Sequence, residues 1–191
     1  MRYLPHIEKA ISRLGYIKPE YAPALAILME ENEGHHPHKI GRLFRQIGIQ
    51  LSAQSKRDLG IRANADMTVE AIDALTEKGR TAPLKGLEAT LLDAQFSYFR
   101  ERSVRSGLTS GRDRFKIDGM FTLECDGCRR LDGEIATSAF LSKLPPPDCQ
   151  KEACAIGIQL NIDFIQELVH KERVREAAQK KGLLARIFKR D

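Results

Sequence analysis

The spacing of its four cysteines constrains the fold of this chain more than any other feature of the sequence. Two residues lie between Cys125 and Cys128, four lie between Cys149 and Cys154, and twenty lie between the two pairs. Within each pair, one loop can present both sulfur atoms to a tetrahedral metal ion. A closed site of four thiolates is structural, because no coordination position remains for water or substrate. The spacing therefore predicts a small module built around a structural Zn²⁺ ion.

Three alternatives for the cysteines are open, namely an iron–sulfur cluster, a redox or disulfide role, and buried thiols that share no ligand. An iron–sulfur cluster uses the same ligand type, and spacing alone does not distinguish it from zinc. A redox role needs a thiol of low pKa in a thioredoxin-like unit, and "LECDGCRRLDG" lacks the βαβ context of such a unit. Basic residues near the cysteines would offset the negative charge of four thiolates. Gly127 is expected to let the first loop turn tightly.

The chain is expected to be cytoplasmic. Its first residues, "MRYLPHIEKAISRLG", contain charges and a proline where a secretory signal needs an uninterrupted apolar core. No later stretch has the length of a transmembrane segment. In a reducing compartment, cysteines are more often metal ligands than partners in disulfides. Hydrophobic residues make up 42% of the chain and charged residues 30%, which is typical of a folded protein.

Residues 1–107 are predicted to form a helical domain. Residues 38–60 contain apolar residues at helical spacing, which predict one helix with a buried face, namely Ile40, Leu43, Phe44, Ile47 and Leu51. Arg42, Arg45 and Gln46 should then be exposed. Thr68 is a plausible N-cap for a helix that ends at Gly79.

The longest predicted helix begins at Pro83, since proline is favoured in the first helical turn. Apolar residues then recur at alternating steps of three and four, namely Leu84, Leu87, Leu91, Ala94 and Tyr98. This spacing predicts a continuous apolar seam, which we expect to be buried within the same molecule.

After a hinge in "SGLTSGRDR", the pattern changes, and residues 112–158 are predicted to form the zinc-binding module. The alternation of Phe121, Leu123 and Cys125 with polar residues indicates a strand that ends at the first cysteine pair. "AIGIQLNIDF" indicates another strand, and residues 159–191 are predicted to form a C-terminal helix with a basic amphipathic tail. The predicted fold class is α+β, mainly α-helical.

"CDGCRRLDGE" followed by "LPPPDCQKEAC" resembles the cysteine-containing segment of head-morphogenesis proteins from Mu-like phages. The resemblance spans about residues 121–156, and the matching positions are Cys125, Cys128, Leu131, Asp132, Gly133, Pro146 and Cys149. The family usually has a histidine before the third cysteine and a short Cys-Arg-Cys ending, whereas this chain has Asp148 and a longer final spacing. The resemblance implies a shared metal-knuckle architecture and a phage-related role.

Two functional classes follow from the sequence. In the first, the protein is a scaffold whose partner is another protein or a second copy. Its predicted docking residues are apolar positions among basic residues near the C-terminus, namely Leu183, Leu184, Ile187 and Phe188.

In the second class, a basic surface of the protein binds the phosphates of nucleic acid. The arginines predicted for this surface are Arg112, Arg114, Arg129 and Arg130, with Arg100, Arg102 and Arg105 nearby. The net charge of +5 permits either class, and few aromatic residues lie among the arginines to stack on bases.

An enzyme is the least favoured class, because the sequence contains no recognised catalytic motif and no evident small-molecule site. The segment "GHHPHK" contains three of the five histidines, His35, His36 and His38. We expect a solvated loop between helices here, with Pro37 preventing a helical alignment of the imidazoles. A second metal site or a pH-sensing role is the functional alternative.

Overall fold

The computed structural model describes residues 1–118, 125–149 and 152–161. The helical part contains α1 (Leu4–Leu14), a short 3-10 helix (Pro19–Tyr21), α2 (Ala22–Glu31), α3 (Pro37–Phe44), α4 (Ala53–Asp58), α5 (Val69–Asp73), α6 (Glu77–Thr81) and α7 (Pro83–Thr109). Three strands and two short helices follow, namely β1 (Phe115–Asp118), α8 (Asp126–Arg129), β2 (Ile135–Ala136), α9 (Ser138–Leu141) and β3 (Gly157–Leu160). The predicted α+β, mainly α-helical class is therefore confirmed.

The long helix α7 is the axis of the helical part, since α1 and α3 both pack along it. Leu87, Leu91, Ala94 and Tyr98 are buried in one core with the apolar faces of α1, α2 and α3, and Leu84 is partly buried there. The predicted start of the helix at Pro83 and the predicted burial of its apolar seam are confirmed. Burial of this seam orders the helix, because apolar surface removed from water contributes about 25 cal/mol per Å².

Residues 38–60 do not form the single helix predicted from their spacing. Helix α3 ends at Phe44, and Gly48 has a φ of 106°, a left-handed conformation that a helix does not contain. Ile47 is 57% exposed and Arg45 only 5%, the reverse of the expectation. Arg45 is buried because its Nη1 lies 3.4 Å from Oε1 of Glu88 on α7, an ion pair that offsets part of the cost of burying its charge.

The single helix predicted between Thr68 and Gly79 is two short helices, α5 and α6, and a threonine caps each of them. Oγ1 of Thr68 accepts a hydrogen bond of 3.2 Å from the N–H of Ala71, which confirms the predicted N-cap. The helix it begins ends at Asp73, and Thr76 caps α6 through a 3.0 Å bond from the N–H of Gly79. Gly79 lies within α6, where an added Cβ would be 2.1 Å from the carbonyl oxygen of Tyr16. Glycine is required there for close packing, and it does not end a helix.

The three strands form an antiparallel sheet in the order β2-β1-β3. Phe115 of β1 lies opposite Ala136 of β2 and Leu160 of β3. The predicted strand around residues 157–160 is confirmed. Phe121 and Leu123, which carried the other strand prediction, lie outside the described residues.

The sheet and the cysteines share a second core, distinct from that of the helical part. Its buried members are Phe115, Ile117, Leu141, Leu144, Ile156, Cys125, Cys128 and Cys154, and the partly buried Cys149 packs against them. Val104 near the end of α7 packs against this core, so α7 contacts both cores. The division into domains at residues 107 and 112 stays a prediction.

Residues 162–191 lie outside the described part of the chain, and with them most of the predicted C-terminal helix and all four predicted docking residues, Leu183, Leu184, Ile187 and Phe188. Across residues 1–118, 125–149 and 152–161, no helix has both the length and the apolar character needed to cross a membrane.

Candidate metal centre

Three cysteine sulfur atoms meet in the second core. Cys125 immediately precedes α8, Cys128 lies within it, and the turn is closed by a 2.8 Å hydrogen bond from the N–H of Arg129 to the carbonyl oxygen of Cys125. The Sγ atom of Cys149 lies 3.4 Å from Sγ of Cys128 and 4.0 Å from Sγ of Cys125. All three sulfur atoms lie within 4.8 Å of one another, a spacing suited to a shared metal ion.

Cys154 completes the cluster from the segment that precedes β3. It is fully buried in the same core, and its thiol interacts with those of Cys128 and Cys149. Its sulfur atom does not belong to the group of three that lie within 4.8 Å of one another. The four predicted ligands thus lie close together and could bind a metal, with three of them in mutual ligand range.

The protonation state of the cluster depends on whether it holds a cation. Burial raises the pKa of the Cys128 thiol, and contacts with the sulfur atoms of Cys125 and Cys149 raise it further. Burial also raises the pKa of Cys154. Without a cation these thiols are therefore neutral at pH 7. A bound dication would stabilise the thiolates and release their protons, so metal binding would weaken as the pH falls.

Gly127 allows the two cysteine pairs to approach each other. An added Cβ at this position would lie 2.7 Å from Oδ1 of Asp148 and 2.8 Å from its carbonyl oxygen. Gly127 does not have a positive φ, so the left-handed backbone conformation available to glycine is not what the loop requires. The space between α8 and the Cys149 segment is what requires glycine here.

Two buried charged side chains of α7 attach the Cys154 segment to the helical part. Oδ1 of Asp93 accepts a 3.3 Å hydrogen bond from the N–H of Cys154. Nη1 of Arg100 donates to the carbonyl oxygens of Ile156, at 2.9 Å, and Cys154, at 3.4 Å. Asp93 is 5% exposed and Arg100 8%. Arg100 was expected to lie near an exposed basic surface, and this expectation is wrong.

Arg13 of α1 and Tyr16, two residues after the end of α1, extend this attachment to Glu152. Arg13 donates to Oδ2 of Asp93 at 3.2 Å and to the carbonyl oxygen of Glu152 at 2.8 Å. The hydroxyl of Tyr16 donates to Oε1 of Glu152 at 2.8 Å, and this bond is the main cause of the lowered pKa of Glu152. The spacing of residues along the chain did not reveal this network. The sequence signal that could have indicated a buried role for Asp93 is its position directly between Leu92 and Ala94 in an apolar run.

Of the predicted nucleic-acid residues, Arg129 and Arg130 directly follow Cys128, and both have acidic partners. Arg129 pairs with Asp126 at 2.6 Å, and Arg130 forms an ion pair with Asp148. Arg112 is half-buried and Arg114 exposed. These contacts reduce the positive charge that the two paired arginines could offer to phosphates, and a nucleic-acid role for the four stays a prediction.

The three histidines of residues 35–38 surround the start of α3. Pro37 is the first residue of this helix, so it begins a helix here and does not break one. Nδ1 of His36 accepts a 3.2 Å hydrogen bond from the N–H of His38, and Nδ1 of His38 lies 2.9 Å from Oε1 of Glu88. In the described ranges, the cysteine group alone gathers three potential metal ligands. The histidines therefore form no second cluster of that kind there.

Comparisons of this chain with protein-family models, with curated proteins and with solved structures find no match. They leave the resemblance to phage head-morphogenesis proteins untested, and it stays a prediction.

Proposed function

We propose that the four cysteines bind one structural Zn²⁺ ion. The approach of three sulfur atoms to within 4.8 Å of one another, two of them on buried cysteines and the third on the half-buried Cys149, is the observation that supports this most strongly. Zinc–sulfur bonds of about 2.3 Å in a tetrahedron separate the sulfur atoms by about 3.8 Å. The observed separations of 3.4 and 4.0 Å lie on either side of that value. The sulfur atom of Cys154 would have to move into the same range to complete the tetrahedron.

Arg100 supports the zinc assignment through its charge. Four thiolates around a dication carry a net charge of minus two, which is costly to bury unless positive groups or hydrogen-bond donors lie close by. The guanidinium of Arg100 is buried and interacts electrostatically with Cys154 and Cys128. It is the positive group that this site needs, and it comes from α7.

The role we propose for the zinc is to hold the cysteine module together and against the helical part, in a scaffold or protein-interaction protein. The contacts of Asp93 and Arg100 with the Cys154 segment support this, since they link a ligand of the site directly to α7. The acidic partners of Arg129 and Arg130 favour a protein partner over nucleic acid. A phage-related role rests only on the resemblance of the cysteine segment.

Metal content tests the zinc proposal. Untagged protein purified under reducing conditions without chelator should contain one zinc per chain by elemental mass spectrometry. Its four thiols should stay unreactive toward a thiol reagent until the protein is unfolded, because coordination blocks them. Iron in place of zinc would contradict the metal assignment. A metal-free protein with reactive thiols would contradict the site as a whole.

An exposed apolar patch supports a protein partner. Ile47 is 57% exposed, Ile49 71%, Ile27 47% and Val69 42%. Ile27 and Ile47 line a groove of about 380 Å³, and Ile49 and Val69 are joined beside it by a backbone hydrogen bond. Exposed apolar groups that lie together in this way mark interaction surfaces more often than isolated ones do.

The occupant we propose for this groove is the segment Leu183–Phe188 of a second copy of the chain. Glu31 and Glu70 line the groove, and basic residues surround the apolar positions of the segment, so the charges are complementary. Because one sequence carries both surfaces, two copies can exchange segments in a closed two-fold arrangement that uses both grooves.

Light scattering after size-exclusion chromatography tests this dimer. The wild type should have the mass of two chains, whereas truncation after Lys181 or the substitution Ile47→Glu should give a monomer. Ile135→Glu is the matched control, because Ile135 is similarly exposed but lies on β2 and outside the groove. A monomeric wild type, or an Ile47→Glu variant that remains dimeric, would contradict the exchange.

A further inference from the structure

A second cleft lies where α1, α7 and α9 meet, and it has a volume of about 340 Å³. Its polar lining on the helical side contains His6, Lys9, Ser97, Arg100 and Glu101. The apolar lining consists of Val104, which is also on α7, and of Leu141 and Leu144, and the region around α9 adds Ser138 and Ser142. A cleft of this size that combines converging polar groups with apolar ones is typical of a small-molecule site.

In the polar lining, the imidazole of His6 lies between a hydroxyl, with which it forms a hydrogen bond, and a carboxylate. Nδ1 of His6 lies 3.0 Å from Oγ of Ser97, and Nε2 of His6 lies 3.4 Å from Oε2 of Glu101. Ser97 and Glu101 lie one turn apart on α7 and thus share a helix face. The other oxygen of Glu101 accepts a 2.6 Å hydrogen bond from Arg105. Neither the imidazole nor the hydroxyl is used by the metal centre.

The imidazole is held in the state that a base requires. Burial lowers the pKa of His6, and the charges of Lys9, Arg100 and Arg105 lower it further, whereas Glu101 raises it. His6 is therefore neutral at pH 7. If Glu101 accepts the hydrogen of Nε2, the free lone pair lies on Nδ1 and faces the hydroxyl of Ser97. The ring also packs edge-on against Tyr98, with centroids 5.6 Å apart, which fixes its orientation.

We propose that Ser97 is a nucleophile for acyl transfer from small esters, with His6 as its base and Glu101 as a positioning residue. Oγ of Ser97 attacks the ester carbonyl carbon while its proton moves to Nδ1 of His6. The carbon–oxygen bond to the alcohol then breaks, and the alcohol leaves with that proton. Water attacks the acyl-serine, giving its proton to His6 and releasing the carboxylic acid, and Ser97 regains its proton.

Other groups of the cleft fit the same reaction. Lys9 lines it and adds positive charge to the cleft, which would favour the negative charge that develops on the carbonyl oxygen in the transition state. The apolar lining can hold a short acyl chain. The three reacting and positioning residues all lie on α1 and α7, so this proposal does not depend on the zinc assignment.

Covalent labelling tests the proposal. Full-length protein treated with an alkyl fluorophosphonate should gain one adduct, as the serine oxygen displaces fluoride from phosphorus, and peptide mapping should locate it on Ser97. Ser97→Ala should abolish the adduct. His6→Gln should slow labelling by about 100-fold or more, the usual contribution of a general base. Ser142→Ala, a second serine in the same cleft, is the matched control and should label like the wild type.

The pH dependence separates catalysis from a structural role of Glu101. Labelling of the wild type should rise with pH as His6 loses its proton. In Glu101→Gln the rise should occur at lower pH, because Glu101 raises the pKa of His6, and the plateau rate should fall. Circular dichroism checks that each variant is folded. The proposal is wrong if Ser97→Ala labels as fast as the wild type or if the adduct lies on another residue. The Ser97→Ala result decides this even if His6→Gln fails to fold.

Discussion

Cys125→Ser is expected to lose its zinc and to melt about 10 °C below the wild type. A structural zinc contributes on the order of 10 kcal/mol to the folding of a small module. Loss of even a third of this would shift the melting temperature by about 10 °C in a protein of this size. The Cys125 side chain is fully buried beside the other sulfur atoms, so a serine there would also leave a hydroxyl without water.

Chelation provides the control for this variant. If the stability difference arises from the metal, a strong chelator should lower the melting temperature of the wild type to near that of Cys125→Ser and leave the variant unchanged. Cys154→Ser should behave like Cys125→Ser if the fourth sulfur is a ligand. Full zinc content and an unchanged melting curve in Cys125→Ser would overturn the site.

Arg100→Met is expected to lower stability by about 2–4 kcal/mol, which is the cost of leaving buried hydrogen-bond acceptors without a donor. Methionine fills much of the same space but cannot donate to the carbonyl oxygens of Cys154 and Ile156. It also removes the buried positive charge beside the thiols. Zinc affinity should therefore fall by about 10–100-fold, as when an outer partner of a metal site is removed. Urea unfolding and competition with a chromophoric chelator measure the two effects.

Arg102→Met is the matched control, two residues along the same helix. Its side chain is 64% exposed, and its ion pair with Glu33 spans 3.4 Å at the surface. Removing such a pair changes stability by less than about 1 kcal/mol and should leave zinc affinity unchanged. If the two variants behaved alike, the proposed role of Arg100 in attaching the Cys154 segment would be wrong.

Local patterns in the sequence were sufficient for several features. The two-residue spacing of Cys125 and Cys128 implies that one turn presents both sulfur atoms, and α8 is that turn. The N-cap at Thr68 and the start of α7 at Pro83 were also predicted correctly. In each case the interacting groups lie within a few residues, so chain geometry determines the contact before any tertiary packing.

Periodicity was less informative where the chain bends. The apolar spacing from Ile40 to Leu51 suited a single helix, yet α3 ends at Phe44, and Gly48 has a left-handed conformation that a continuing helix would not contain. The ion pair with Glu88 then holds Arg45 inside while Ile47 faces solvent. An apolar residue at the expected spacing is buried only if another element covers that face, and spacing carries no information about the neighbour.

The sequence by itself determined the helical class of the first hundred residues, the buried seam of α7 and the arrangement of the cysteines in two closely spaced pairs. Only the tertiary structure decided that Asp93 and Arg100 form hydrogen bonds with the Cys154 segment and that His6 forms one with Ser97. These partners are 61, 54 and 91 residues apart, and their contacts depend on how α1 and β3 pack on α7. Spacing along the chain constrains neighbours within a turn, whereas the meeting of distant polar groups depends on the burial of the apolar faces that bring their helices and strands together.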